Sequence, residues 1–196
     1  RNIFVHPNQV NKIPFCSFKS DIIPCGVDIN IFKPRDKKIA KSEMGLKSDG
    51  IYILFSSHFS NQVKNYTLAQ EIINSLDFKV NLIELKGFTI NQVNLLLNSV
   101  DLLLITSLRE TGPMIVKEAM ACDCPIVSND VGDVKRIIEN IDGCYMVESN
   151  QINDFTNAIS KCIKNNTRTN GRQKIIDSDL DTNSIAKKII RLYGEI

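Results

Sequence analysis

The chain has 196 residues, 43% of them apolar and 23% charged, with a formal net charge of +2. That length can bury one sizeable core, and the composition is that of an ordinary globular chain. The near-neutral balance argues against a nucleic-acid partner, which calls for a concentrated basic face, and no run of eighteen apolar residues is present to span a membrane.

In chain order, short buried runs alternate with helical stripes. Residues 21–28, DIIPCGVD, carry a brief extended piece that Pro24 and Gly26 interrupt. Residues 37–44 predict a short helix stopped by Gly45. Residues 51–57, IYILFSS, are continuously apolar before two serines and predict a buried strand. Leu68, Ile72, Ile73 and Leu76 form a helical stripe over residues 66–76. Residues 80–85 predict a second strand, and Thr89 with Gln92 has the form of a capping box opening the helix of Val93, Leu96 and Leu97. Residues 101–107, DLLLITS, predict a third strand. Residues 113–121 predict a helix with Pro113 near its first turn, where proline costs no hydrogen bond. PIVSN, a helix over 133–141, the strand CYMV, a helix over 153–164 and a last helix over 184–193 follow. Residues 165–174 read as the most loop-like segment. Buried strands alternating with helices imply parallel pairing and right-handed crossovers, so the expected fold is a doubly wound α/β sheet in a single domain over 1–196.

Six cysteines occur, Cys16, Cys25, Cys122, Cys124, Cys144 and Cys162, without a CxxC pair or ligand spacing to His6 and His58, which argues against zinc. Several lie in apolar runs, and the usage fits free buried thiols in a reducing, cytoplasmic compartment.

The stretch RETGPMIVKE sets Glu110 and Glu118 around a Gly-Pro step, after a strand and at a helix start. In open parallel sheets ligands bind at the carboxyl ends of strands, and a helix start offers unpaired amides and a positive dipole end to an anion. Gly112 keeps side-chain bulk off that backbone. Ionised carboxylates accept hydrogen bonds only, which suits sugar hydroxyls rather than phosphate. A diphosphate between two polyols, as in a nucleotide sugar, fits both. The bland alternative is an acid at a helix start acting as a dipole partner and an acid within the helix facing solvent.

RETGPMIVKEAMACDCPIVSNDVGDVKRII resembles the donor-side signature of retaining GT-B glycosyltransferases of the Glu-x7-Glu type (glycosyltransferase group 1, family 4-like): a Glu pair, an Ala-Met-Ala helix and a Pro-Ile-Val strand. IPCGVDINIFKP resembles that family's segment leading into the C-terminal domain, and SSHFSNQVKN its loop after the first core strand. The resemblance implies one Rossmann-like half of a GT-B enzyme, the C-terminal donor domain, with residues 184–196 as its closing helix and the N-terminal acceptor domain missing. It implies a hexosyltransferase-type transfer from a nucleoside-diphosphate sugar to an acceptor hydroxyl, with no metal and no cofactor, in polysaccharide biosynthesis.

The roles it implies are specific. Lys64 matches a phosphate-contacting lysine and Glu110 an acid near the donor sugar; both carry the catalytic expectation. Glu118 matches the ribose-holding acid. Thr111, Gly112 and Pro113 with the amides of Met114, Ile115 and Val116 match the diphosphate loop and helix start. Gly26 falls in the leading segment, and Lys86, Gly87 and Phe88 in the loop near the base. His58 stands where the family has arginine, and Cys25 where it has asparagine. Lys187-Lys188 reads as a solvated helix face, with a membrane surface or the missing domain as the other contact for the full enzyme. Two rival readings are a GT-B nucleotide-sugar epimerase domain, which wants further His and acidic residues facing the sugar, and a nonenzymatic flavodoxin-like module, which wants acids after the first strand.

Overall fold

A computed structural model describes residues 2–10 and 20–194. Cys16 and the last two residues of the closing segment lie outside the described residues.

Strands β1 (Asn2–Phe4) and β2 (Ser20–Ile22) form a two-stranded parallel sheet of their own, with α1 (Pro7–Val10) after β1. The extended piece expected near DIIPCGVD ends at Ile22, and Val27 bridges instead to Asp181. Helix α2 (Lys37–Glu43) is capped by Asp36, whose carboxylate accepts from the Ile39 amide.

The main sheet has five parallel strands in the order β4-β3-β5-β6-β7: β3 (Tyr52–Phe55), β4 (Asn81–Glu84), β5 (Leu102–Ile105), β6 (Ile126–Asn129) and β7 (Cys144–Val147). β3, β5 and β6 are buried along their whole length, while β4 and β7 are partly exposed, as edges must be. Alternation along each strand feeds two cores. Tyr52, Leu54, Leu103, Ile105 and Ile126 meet α4 (Ile90–Ser99), α5 (Met114–Ala121) and α6 (Val134–Ile138) on one face. Ile53, Phe55, Leu102, Leu104 and Val127 meet α3 (Tyr66–Asn74) and α7 (Ile152–Asn165) on the other. This is the doubly wound sheet that the patterning predicts.

Thr89 and Gln92 form the expected capping box of α4. Three details differ. Pro113 is the residue before α5 rather than within its first turn, because its ψ of 117° is extended. The stretch read as loop holds the start of α8 (Gly171–Asp177), a helix too short to show a stripe; Gly171 lets it lie directly on Met120 of α5. The last helix, α9 (Thr182–Tyr193), starts earlier because Asp181 caps the amides of Asn183 and Ser184. Among the described cysteines, Cys122, Cys124 and Cys162 are buried, Cys144 is half-buried and Cys25 is exposed, so the expectation of buried thiols fails at Cys25, which lies in the surface run before Val27.

Candidate functional site

The loops leaving β3, β5 and β6 meet at one end of the sheet. After β3, the chain makes a 3₁₀ turn over Gln62–Lys64, started by the Asn61 side chain and ended at Asn65 in the left-handed region. Thr106, just past β5, anchors this turn: its hydroxyl donates to the carbonyls of Lys64 (2.9 Å) and Asn65 (3.1 Å). The Leu108 amide donates to the Val63 carbonyl at 2.8 Å. The two loops are thereby zipped together, and the zipping brings two residues 46 positions apart into an ion pair, Lys64 Nζ with Glu110 Oε1. Their side chains are only 17% and 12% exposed. Ser107 Oγ donates to the same Glu110 oxygen at 2.8 Å.

Behind Glu110, the turn after β6 presses on the same loop. Gly132 sits at φ +61°, and a side chain there would strike the Thr111 carbonyl at 3.0 Å and Glu110 at 3.1 Å, so only glycine permits the approach. Asp133 is buried with its carboxylate facing Gly112; a Cβ at Gly112 would lie 3.5 Å from both carboxylate oxygens. Helix α5 then begins at Met114 without any side-chain cap and without an acid in its first turn. Among the described residues no side chain caps its first amides, which lie at the positive end of the dipole; the Val116 amide turns back to the Pro113 carbonyl at 3.2 Å.

Glu118 lies one turn into α5 and is half-buried. Burial alone pushes its carboxyl up to about 7. Beside it on the helix, Lys117 is almost fully buried and donates to the Cys25 carbonyl at 2.9 Å. Desolvation lowers the Lys117 pKa, and Asp133 pulls it back up.

Other expected residues lie at the margins of this arrangement. His58 is half-exposed in the loop after β3, its Nδ1 2.9 Å from Ser60 Oγ. Lys86, Gly87 and Phe88 follow the edge strand β4; Lys86 and Gly87 are exposed, and Phe88 packs toward the core. That loop is tied to the His58 loop, since the Phe59 amide donates to Glu84 Oε1 at 2.6 Å and the Leu85 amide to the Ser57 carbonyl. Gly26 has a packing reason to be glycine: a Cβ there would lie 2.9 Å from Thr182 Cα at the start of α9. Residue patterns did not single out Ser107, Asn129, Asp133 or Lys117. The only signal for the first two was a polar residue closing an apolar run at a strand's carboxyl end.

Among the described residues, three buried side-chain polar atoms have no hydrogen-bond partner: Ser56 Oγ, Asn129 Oδ1 and Asp133 Oδ1. All three lie at the carboxyl ends of central strands or in the turn beyond. Folded chains pair such groups, so orphans gathered at one sheet end mark that end as built for something other than stability. A shallow hollow of about 370 Å³ lined by Gln62, Val63, Leu108 and Arg109 opens on the same side. A hollow of about 390 Å³ at the opposite strand ends, lined by Arg35, Lys37, Asp101 and Arg168 among others, is a different matter. Three of its cations are already engaged: Lys37 with Asp101, Arg35 with Glu43, and Arg168 with the carbonyls of Leu97 and Asn98.

Residues 60–165, which carry the Lys64 turn, the Glu110–Glu118 stretch and β3's neighbours through α7, match the family model described as glycosyl transferases group 1. The chain belongs to the group 1 glycosyl transferases. It is 24% identical over 170 residues to a D-inositol 3-phosphate glycosyltransferase of Paenarthrobacter aurescens (strain TC1), a match over 71% of this chain and 42% of the relative. It superposes on sucrose-phosphate synthase from Thermosynechococcus elongatus with a TM-score of 0.79 at 17% identity, over 98% of this chain and 57% of that one. Anabaena HepE, solved with UDP and glucose, gives a TM-score of 0.77 at 15% identity over 99% and 63% of the two chains. These likenesses show the fold, a Rossmann-like half of GT-B type. The group 1 chain described here spans about half the length of the relatives it matches.

Proposed function

We propose that this group 1 chain is the donor-binding, C-terminal half of a retaining hexosyltransferase. The whole enzyme would move a sugar from a nucleoside diphosphate to an acceptor hydroxyl. The observation that carries the reading is the Lys64–Glu110 ion pair, held between the β3 and β5 loops and beside an uncapped helix start. In this reading the α5 amides and Lys64 receive the diphosphate, Glu110 receives hydroxyls of the sugar, and Glu118 those of the ribose. A diphosphate competes for Lys64 and frees Glu110 to accept hydrogen bonds. As the glycosidic bond breaks, charge builds on the leaving diphosphate oxygen. Fixed amides and one ammonium stabilise that charge more than they stabilise the bound donor, which is what accelerates a step, and no metal is required of them. That the Anabaena relative is solved with UDP and glucose supports a nucleotide sugar as the ligand class.

The proposal of a second half has support of its own. A parallel two-stranded sheet is not self-sufficient, and β1–β2 leaves Ile3, Val5 and Ile22 exposed around it. Ile190 and Tyr193 on α9 are about two-thirds uncovered. An acceptor-binding domain is the cover we propose, and without it this chain should not transfer sugar. Free thiols at Cys122, Cys124 and Cys162 fit a cytoplasmic enzyme.

The test is calorimetry of the chain with UDP, GDP and ADP, repeated on Lys64→Ala and Glu118→Ala. One nucleotide should bind, and each substitution should weaken it by about tenfold or more, the effect of losing a charged hydrogen bond. Undiminished binding in both variants would remove the site from this end of the sheet.

A further inference from the structure

Glu110 is useful in the reading above only if its carboxylate stays aimed while Lys64 turns to the diphosphate. Its second partner is neutral. Ser107 Oγ donates to Glu110 Oε1 at 2.8 Å, and Ser107 is fully buried. Ser107 is in turn held from the next strand. Asn129, the last residue of β6, donates from Nδ2 to the Ser107 carbonyl at 2.8 Å. The amide's orientation is not arbitrary, since turning it over would set Oδ1 against that carbonyl, two acceptors face to face. Asn129 is 8% exposed, and its Oδ1 has no partner. A buried asparagine kept only for folding would be expected to satisfy both ends of its amide. This one gives up a hydrogen bond to keep Nδ2 on Ser107.

Thr106 does the matching work for the cation, since its hydroxyl holds the carbonyls of Lys64 and Asn65. The two members of the ion pair are thus located by separate neutral groups at the ends of β5 and β6. When the pair opens, each charge keeps its own support.

Resting on the donor reading, we propose that Asn129 is a positioning residue for the donor sugar, acting through Ser107 to hold Glu110 in place when Lys64 leaves it. The consequence is selective. Asn129 should matter to the part of the ligand that Glu110 touches, the sugar, and not to the nucleoside diphosphate.

Calorimetry of the chain with UDP and UDP-glucose, GDP and GDP-mannose, and ADP and ADP-glucose separates the two contributions. With whichever pair the wild-type chain binds, Asn129→Ala should weaken the sugar nucleotide by about fivefold and leave the nucleoside diphosphate within about twofold, the scale of one positioning hydrogen bond. Ser107→Ala, which keeps the backbone carbonyl and deletes the hydroxyl, should reproduce the effect. In a Glu110→Gln background, Asn129→Ala should cost nothing further, because the residue it acts through is already disabled. Equal weakening of both ligands, or additivity with Glu110→Gln, would make Asn129 a folding residue and overturn the relay. So would unchanged sugar-nucleotide affinity in both Asn129→Ala and Ser107→Ala. If the wild-type chain bound none of the six compounds, the donor reading would fall and take the relay with it; binding with an unmoved sugar contribution would sink the relay alone.

Discussion

Glu118→Gln should make the protein more stable and a poorer binder at once. The Glu118 carboxyl titrates near 7 in the folded chain, against an ordinary 4.5, because burial penalises its charge and nothing offsets the penalty. A carboxyl with a raised folded pKa keeps its proton longer when folded than when unfolded. Stability is therefore intact below about 4.5, falls as pH rises through the window up to about 7, and stays reduced above it. At about 1.4 kcal/mol per pH unit across that window, the full loss is about 3 kcal/mol. Glutamine has the same shape and does not titrate. Urea denaturation of both chains should then show equal stability near pH 4 and a gap opening to about 3 kcal/mol in favour of Glu118→Gln near pH 8. The ligand would depend on pH in the opposite sense. If Glu118 receives ribose hydroxyls as a carboxylate, nucleotide binding must expel the proton below about pH 7, so affinity should rise with pH in the wild type and be flat in the variant. A stability gap that did not change with pH would refute the assignment of a destabilising buried charge. A gap that opened as predicted while nucleotide affinity stayed pH-independent would leave the carboxyl buried but remove it from the ribose site.

Other positions give sharper structural tests. Arg172 donates to the carbonyls of Phe32, Ala121 and Ile29; Arg172→Ala should cost about 3 kcal/mol or more in urea denaturation, since several acceptors lose a charged donor together. A Cβ on Gly171 would lie 2.9 Å from Met120 Cα, backbone that cannot swing aside, so Gly171→Ala should destabilise by about 1–3 kcal/mol by overpacking, despite alanine's better helix propensity. Thr89→Ala removes the reciprocal bonds between Thr89 and Gln92 at the start of α4 and should lower stability by about 1 kcal/mol by thermal unfolding, with nucleotide binding unchanged.

What could be read in advance was whatever a residue does with its own neighbours in sequence. β3 and β5 announce themselves because a strand buried on both faces must be apolar throughout, and Thr89 caps a helix that begins at the next residue. Short pieces escaped for the converse reason. α8 is seven residues long, too few for a stripe, and β1 holds only three residues. At the site, the Glu110–Glu118 spacing was legible because both acids belong to one strand-loop-helix unit. That Lys64 and Glu110 belong to one site was expected only through a family likeness, and neither their ion pair nor the Asn129–Ser107 contact was visible at all. Each crosses between neighbouring strands, and a crossing contact depends on sheet order, which patterning leaves open. Gly26 shows the reverse hazard: it falls in a family-like segment, yet Thr182 alone already requires a glycine there.

Sheet order also explains how acids can stand beside an anion site. Three carboxylates, Glu110, Glu118 and Asp133, surround the start of α5, and three full negative charges there would repel a diphosphate. None of them acts as a free charge in the empty chain. Glu110 is neutralised by Lys64, and Glu118 holds a proton over much of the neutral range. Asp133, buried with its carboxylate toward Gly112, has the Arg136 guanidinium 3.7 Å from its Oδ2. What remains toward the ligand is the amide dipole of α5, with nothing acidic in its first turn. In the proposed donor reading, an arriving diphosphate would take over Lys64, and only then would Glu110 become a bare acceptor, next to the sugar rather than the phosphates. The field thus favours the anion first and the hydroxyls second. That order requires Glu110 to hold its place after its cation has gone, so the weight of the mechanism falls on the neutral Ser107 hydroxyl rather than on either charge.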